Sequence, residues 1–244
     1  MALIEELERS GTWLFRWRSY LPLVLILLFL LVLRDYQVPD ARWDSLWEIL
    51  CLTVSLFGLG IRILTIGQTP GGTSGRNTKR QIAETLNTTG IYSVVRNPLY
   101  LGNFFMSLGV ALFPRLWWLT LIFILSFCLF YERIILAEES YLRKKFGDEY
   151  LAWAEATPVF IPRLGSYRKS SLLFSWKRVF RREYNGLFAV ILVLFAFDAA
   201  GDLIATGRFE IDLMWAILLG VGLLVMIVAR TLKKKTHLLD IEGR

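Results

Sequence analysis

Long apolar blocks alternate along this chain with charge-dense connections, and that alternation leaves few folds open. Six blocks stand out, at about residues 20–33, 47–66, 99–113, 117–135, 186–204 and 211–229. A perpendicular helix needs about 20 apolar residues to cross the hydrocarbon core of a bilayer. Most of the blocks meet that length, and the first and third are short enough to require bilayer thinning or snorkelling charges at their ends. The chain is 55% hydrophobic with a mean hydropathy of +0.48, more apolar than a soluble domain. The expected fold is all-α: a multi-pass transmembrane helical bundle of about six segments.

Lysine and arginine orient that bundle. With both termini cytoplasmic, 23 of the 28 basic residues lie on the inner side, four (Arg34, Arg42, Arg115 and Arg208) lie outside, and Arg62 falls within the second block. Basic residues accumulate on cytoplasmic loops, so this is the expected topology, in the plasma (inner) membrane if the source is bacterial. Trp13 and Trp17 are expected interface anchors. The first residues, MALIEELERSG, are acidic and polar rather than a basic lead into an apolar run, so residues 21–33 read as a retained anchor. Residues 1–49 are expected to form an anchor helix and outer loop, 50–163 the core, 164–184 a basic cytoplasmic linker, and 185–244 a two-helix extension with a basic tail.

Several chemistries are excluded by what the sequence lacks. His237 is the single histidine, which removes Ser-His-Asp, Cys-His and HExxH sites. Cys51 and Cys128 lie in apolar blocks without metal-ligand spacing, so no metal is expected. Residues 71–75, GGTSG, lack the GxxxxGK[ST] pattern of a phosphate-binding loop. Asp198 and Asp202 read as an interfacial helix cap.

Two cytoplasmic stretches are more than connectors. Residues 90–102 read GIYSVVRNPLYLG. Proline holds the preceding Asn97 extended, and Pro98 suits the first position of a helix. That helix would open with free backbone N–H groups and a partial positive field. Residues 131–142, YERIILAEESYL, continue the fourth block past the membrane edge and set Tyr131, Ile135, Glu138 and Leu142 on one helical face. Each stretch also has a plain reading, as a capped helix entry and as a solvated helix end.

Taken together and in this order, the two stretches resemble the isoprenylcysteine carboxyl methyltransferase and phospholipid methyltransferase family. Its G-x-Y-x-x-x-R-H-P-x-Y-x-G pattern is met by Gly90, Tyr92, Arg96, Pro98, Tyr100 and Gly102. Its later acidic pair and F-G-x-E-Y segment are met by Glu138-Glu139, Phe146-Gly147 and Glu149-Tyr150, and Ile161-Pro162 closes the match. The resemblance spans about residues 50–163. It implies an integral-membrane methyltransferase without a soluble nucleotide-binding domain, using S-adenosylmethionine from the cytosol and a lipid or lipid-like acceptor from the bilayer, with no nucleic acid as partner. By position it implies cofactor contacts at Tyr92, Asn97, Pro98, Leu99, Tyr100 and Glu138, with Glu84, Thr85, Leu86 and Asn87 adding backbone contacts and Asn77 a further one.

The chain departs from the family at two places. Asn97 replaces the histidine, and Ile134 replaces an arginine four residues before the acid. Arg133 lies beside that position in sequence but about 100° away round a helix. Glu139, Tyr100 and Arg133 are the candidates for acting on the acceptor, with Glu132 a further proton acceptor. A nicotinamide-dependent membrane reductase and a non-catalytic membrane scaffold stand as alternatives.

Overall fold

A computed structural model describes residues 3–18, 20, 41–70, 83–209 and 211–239. These residues form seven α-helices and two short 3₁₀ turns: α1 (Leu3–Trp17), α2 (Ala41–Gln68), α3 (Pro98–Leu112), α4 (Trp117–Phe146), α5 (Asp148–Ala156), α6 (Trp176–Thr206) and α7 (Leu213–Lys235). The fold is all-helical, as expected. Four helices are long and apolar enough to cross a membrane: α4, α7 and the stretches Trp43–Gln68 and Trp176–Ile204 of α2 and α6. The third block is a 15-residue helix, about 22 Å long. The first predicted block lies outside the described residues apart from Tyr20, so among the described residues the other five blocks appear as four spans and one shorter apolar helix.

α2 and α3 pack backbone to backbone. A Cβ on Gly58 would fall 2.4 Å from the Met106 nitrogen, and one on Gly109 would fall 2.1 Å from Ser55 Oγ. Small residues allow such approach inside membranes, where dispersion contacts and interhelical hydrogen bonds replace the hydrophobic drive. Ser55 uses the closeness, donating its hydroxyl to the Met106 carbonyl at 3.0 Å. Pro114 and Arg115 turn the chain from α3 into α4. The turn is fixed by a Trp47 Nε1 bond to the Leu112 carbonyl at 3.0 Å and by an Arg115–Asp44 ion pair. Beneath it, Phe113, Phe123, Phe127, Phe197 and Trp215 form a buried aromatic core.

Two features depart from the sequence reading. α6 begins at Trp176, inside the stretch expected to be a linker, because Ser175 caps it by accepting from the Arg178 N–H and because Val179, Glu183 and Tyr184 bury one face. The N-terminus also supplies more than an anchor. α1 opens with Glu5 and Glu6 and ends with Arg16, charges that match the helix dipole. It rests on α4 where Gly11 meets the Arg133 carbonyl; a Cβ there would lie 2.0 Å from that oxygen. Leu3, Ile4, Trp13 and Trp17 remain exposed on it, the pattern of a helix lying along a membrane surface.

Candidate active site

The end of the bundle where α2 finishes, α3 begins and α4 leaves the apolar zone holds the polar groups singled out in the sequence. Asn97 (φ −121°) precedes α3 and Pro98 takes its first position, with the Leu101 N–H bonded to the Asn97 carbonyl at 3.0 Å. Tyr100, one turn in, is buried, and its hydroxyl faces Glu138 on α4. Its ring packs against Tyr131, centroids 4.7 Å apart, and Tyr131 stacks in turn on Phe127 at 4.1 Å. Arg18, just past α1, approaches Glu138 to 4.0 Å and lies 3.8 Å above the Phe15 ring. Glu138 is thus met from α3 on one side and from the N-terminal segment on the other.

The neighbouring acid serves a different partner. Glu139 pairs with Arg96 at 2.9 Å, and the Tyr150 hydroxyl of α5 lies against both. Burial and the Glu139 charge push the Tyr150 phenol up to about 12. The loop carrying Arg96 is stitched to the segment after α5: Arg96 N–H to the Pro158 carbonyl at 2.9 Å, Asn97 Nδ2 to the Val159 carbonyl at 3.1 Å, and Arg163 N–H to the Val94 carbonyl at 2.9 Å. Trp153 Nε1 bonds the Tyr92 carbonyl at 3.0 Å. Asn97 therefore spends its side-chain amide on loop closure, a task its neutral donor suits.

A cavity of about 290 Å³ adjoins this loop and is lined by Thr85, Leu86, Asn87, Tyr92, Gln68 and Ser171 among others. Burial first, and then the nearby Glu138 charge, raise the Tyr92 phenol well above its ordinary range, so the group stays a neutral donor. Ser171 and Leu172 reach the cavity from the stretch between α5 and α6, which is held by Gly90 N–H to the Arg168 carbonyl at 2.9 Å and Ser175 N–H to the Gly67 carbonyl at 2.9 Å.

Of the residues expected in the site, the structure brings Thr85, Leu86, Asn87 and Tyr92 to the cavity, and Asn97, Pro98, Tyr100, Glu138 and Glu139 to the adjoining helix ends. Glu84 and Leu99 lie beside these in sequence, and Asn77 is outside the described residues. Arg133 does not join them: its side chain is exposed, one helical step round α4 from the fully buried Ile134. Arg18, Arg96, Tyr131 and Tyr150 were not expected as site residues. Arg96 and Tyr150 stood within the motifs, whereas nothing local to Arg18 marked it.

Comparison with known proteins bears on this geometry. The profile of the phospholipid methyltransferase family matches residues 48–149. The chain is 34% identical over 142 residues to the cobalt-zinc-cadmium resistance protein CzcN of Cupriavidus metallidurans, covering 57% of this chain and 62% of that protein. It is 32% identical over 158 residues to the nickel-cobalt-cadmium resistance protein NccN of Alcaligenes xylosoxydans xylosoxydans, covering 64% and 67%. It is 38% identical over 84 residues to the protein-S-isoprenylcysteine O-methyltransferase of Schizosaccharomyces pombe, covering 34% and 36%. The matched region thus spans less than two thirds of the first of these relatives and about a third of the yeast one. No solved structure matches the chain.

Proposed function

We propose, from the premise that this chain belongs to the isoprenylcysteine carboxyl methyltransferase and phospholipid methyltransferase family, that it moves a methyl group from S-adenosylmethionine to a lipid or lipid-like acceptor at the cytoplasmic face of the membrane. The observation that carries the reading is the Tyr100–Glu138 contact beside a cavity lined by Thr85, Leu86, Asn87 and Tyr92. The family favours this over a nicotinamide-dependent reductase or a scaffold.

The residues present suit the cofactor. A carboxylate (Glu138), neutral phenols (Tyr92, Tyr100), aromatic faces (Tyr100, Tyr131) and the free backbone N–H groups at the start of α3 match a molecule that carries a carboxylate, an ammonium, hydroxyls and a sulfonium. When bound, S-adenosylmethionine supplies an electrophilic methyl group on a positively charged sulfur. Glu138 and the Tyr100 and Tyr131 rings stabilise positive charge at that end. Thr85, Leu86, Asn87 and Tyr92 hold the remainder, and the apolar helix walls keep water from the reacting atoms. Glu139, neutralised by Arg96, is poorly placed to take a proton. A carboxylate or phosphate acceptor needs no base at all, whereas an amine would be presented unprotonated.

Two relatives are named for metal resistance. Among the described residues no group of three or more His, Cys, Asp or Glu side chains is placed to hold a metal ion.

Calorimetry on detergent-purified protein tests the proposal: wild type is expected to bind S-adenosylmethionine and not a nicotinamide cofactor, and absence of binding overturns it. Comparative lipid mass spectrometry of membranes with and without the gene is expected to show a species heavier by one methylene.

A further inference from the structure

Arg62 sits in α2 within the apolar block, and each of its three guanidinium nitrogens donates one hydrogen bond. Nε and one terminal nitrogen grip Glu183 of α6 at 2.8 and 2.7 Å, and the other terminal nitrogen donates to Asn103 Oδ1 at 2.6 Å. The Asn103 side chain in turn faces the Tyr131 hydroxyl. Tyr131 packs on Tyr100, whose hydroxyl faces Glu138. A run of side-chain contacts therefore leads from α6 to the acid of the candidate site. Room for it is built in: a Cβ on Gly102 would fall 2.5 Å from Arg62 Cγ, so the motif glycine is what lets the arginine cross the face of α3.

The location of Glu183 gives this chain its interest. It lies 121 residues from its partner and beyond the family-matched region, residues 48–149, yet its side chain is only 5% exposed. Burying a carboxylate and a guanidinium costs more desolvation than a stability role alone warrants, and apolar residues of similar volume generally serve a core as well or better. A bidentate Arg–carboxylate fork does fix direction, which apolar packing does not.

We propose that Glu183 is a positioning residue of the methyl-transfer site: through Arg62 and Asn103 it sets the Tyr131–Tyr100 pair that presents Glu138, so α6, which follows the family core, completes the site. This rests on the function proposed above.

Paired apolar replacement separates positioning from stability. In Arg62→Met/Glu183→Leu no buried charge is left alone, so the protein is expected to melt at or above the wild-type temperature in detergent. Its S-adenosylmethionine affinity, by calorimetry, is expected to fall about tenfold, the equivalent of one lost hydrogen bond. Adding Asn103→Leu is expected to cost no more, because both changes cut the same chain. Affinity within about twofold of wild type, or a further independent loss with Asn103→Leu, overturns the proposal. Should the paired variant fail to fold, Asn103→Leu alone decides: weakened binding at an unchanged melting temperature supports it, and unchanged binding overturns it. A wild-type protein that binds no S-adenosylmethionine overturns the function and this proposal together, whereas failure of the variants alone overturns only the latter.

Discussion

Arg96 and Glu139 form an ion pair at 2.9 Å that ties the loop before α3 to the last turns of α4, with Tyr150 lying against both. The two side chains are 16% and 27% exposed, sheltered enough for the pair to matter. Arg96→Ala leaves Glu139 beside a buried phenol with no cation. The expected loss of stability is about 1–3 kcal/mol, read as a lowered melting temperature in detergent. Removing both partners is expected to cost less than removing Arg96 alone.

Tyr150 also predicts an alkaline limb. Its phenol ionises near pH 10 in an unfolded chain and at about 12 in the folded protein. Between these values the folded state holds a proton that the unfolded state has released, so stability falls as pH rises from about 10 to about 12. Below pH 10 the group contributes no pH dependence. Melting curves of wild type and Tyr150→Phe across this window are expected to converge at the alkaline end, the variant showing the shallower decline.

Tyr100→Phe keeps the ring against Tyr131 and removes only the hydroxyl that meets Glu138. Cofactor affinity is expected to fall by about 10- to 150-fold, the range for losing one hydrogen bond to a charged group, with melting temperature nearly unchanged. Glu138→Ala is expected to lose at least as much. Calorimetry beside thermal unfolding checks both quantities on the same samples.

Arg133→Ala is expected to leave cofactor affinity at the wild-type value, because the side chain is exposed on the flank of α4. Gly11→Val, one helix away, is expected to be harmful: its Cβ would collide with the Arg133 carbonyl and lift α1, and Arg18 with it, away from Glu138. Limited proteolysis after residue 18 should become faster in Gly11→Val and remain unchanged in Arg133→Ala.

Gly58→Val and Gly109→Val are expected to disrupt the α2–α3 contact, since each inserts atoms where backbone or a hydroxyl already lies within 2.4 Å. Overpacking of this kind costs about 1–3 kcal/mol or more, and the readout is loss of detergent-stable protein on size exclusion.

What the sequence disclosed and what it withheld divide along physical lines. The α3–α4 hairpin was legible because Pro114 interrupts two apolar runs, and the start of α3 because Pro98 can hardly stand elsewhere in a helix. Glu138 was legible because helical period alone aligns it with Tyr131 and Ile135. The Arg62–Glu183 fork was not, because its partners are 121 residues apart and neither end looks unusual locally. The place of α1 was hidden for a related reason. Its mean hydropathy is too low for a span, and its seat on α4 depends on one glycine meeting one carbonyl. The start of α6 was missed because its first turns carry Lys177, Arg178, Arg181 and Arg182, charges that suggest a solvated connector until Val179, Glu183 and Tyr184 are seen to be buried.

The helix that carries Trp13 and Trp17 outward also carries Glu8, which bonds Ser140 and approaches Lys144, and leads into Arg18. Whatever medium bathes those tryptophans therefore has a mechanical lever on Glu138. Solubilising agents become a kinetic variable for this protein: a harsh short-chain surfactant that peels α1 away would blunt catalysis in a chain whose circular dichroism still looks intact, and reconstitution into lipid nanodiscs would restore it.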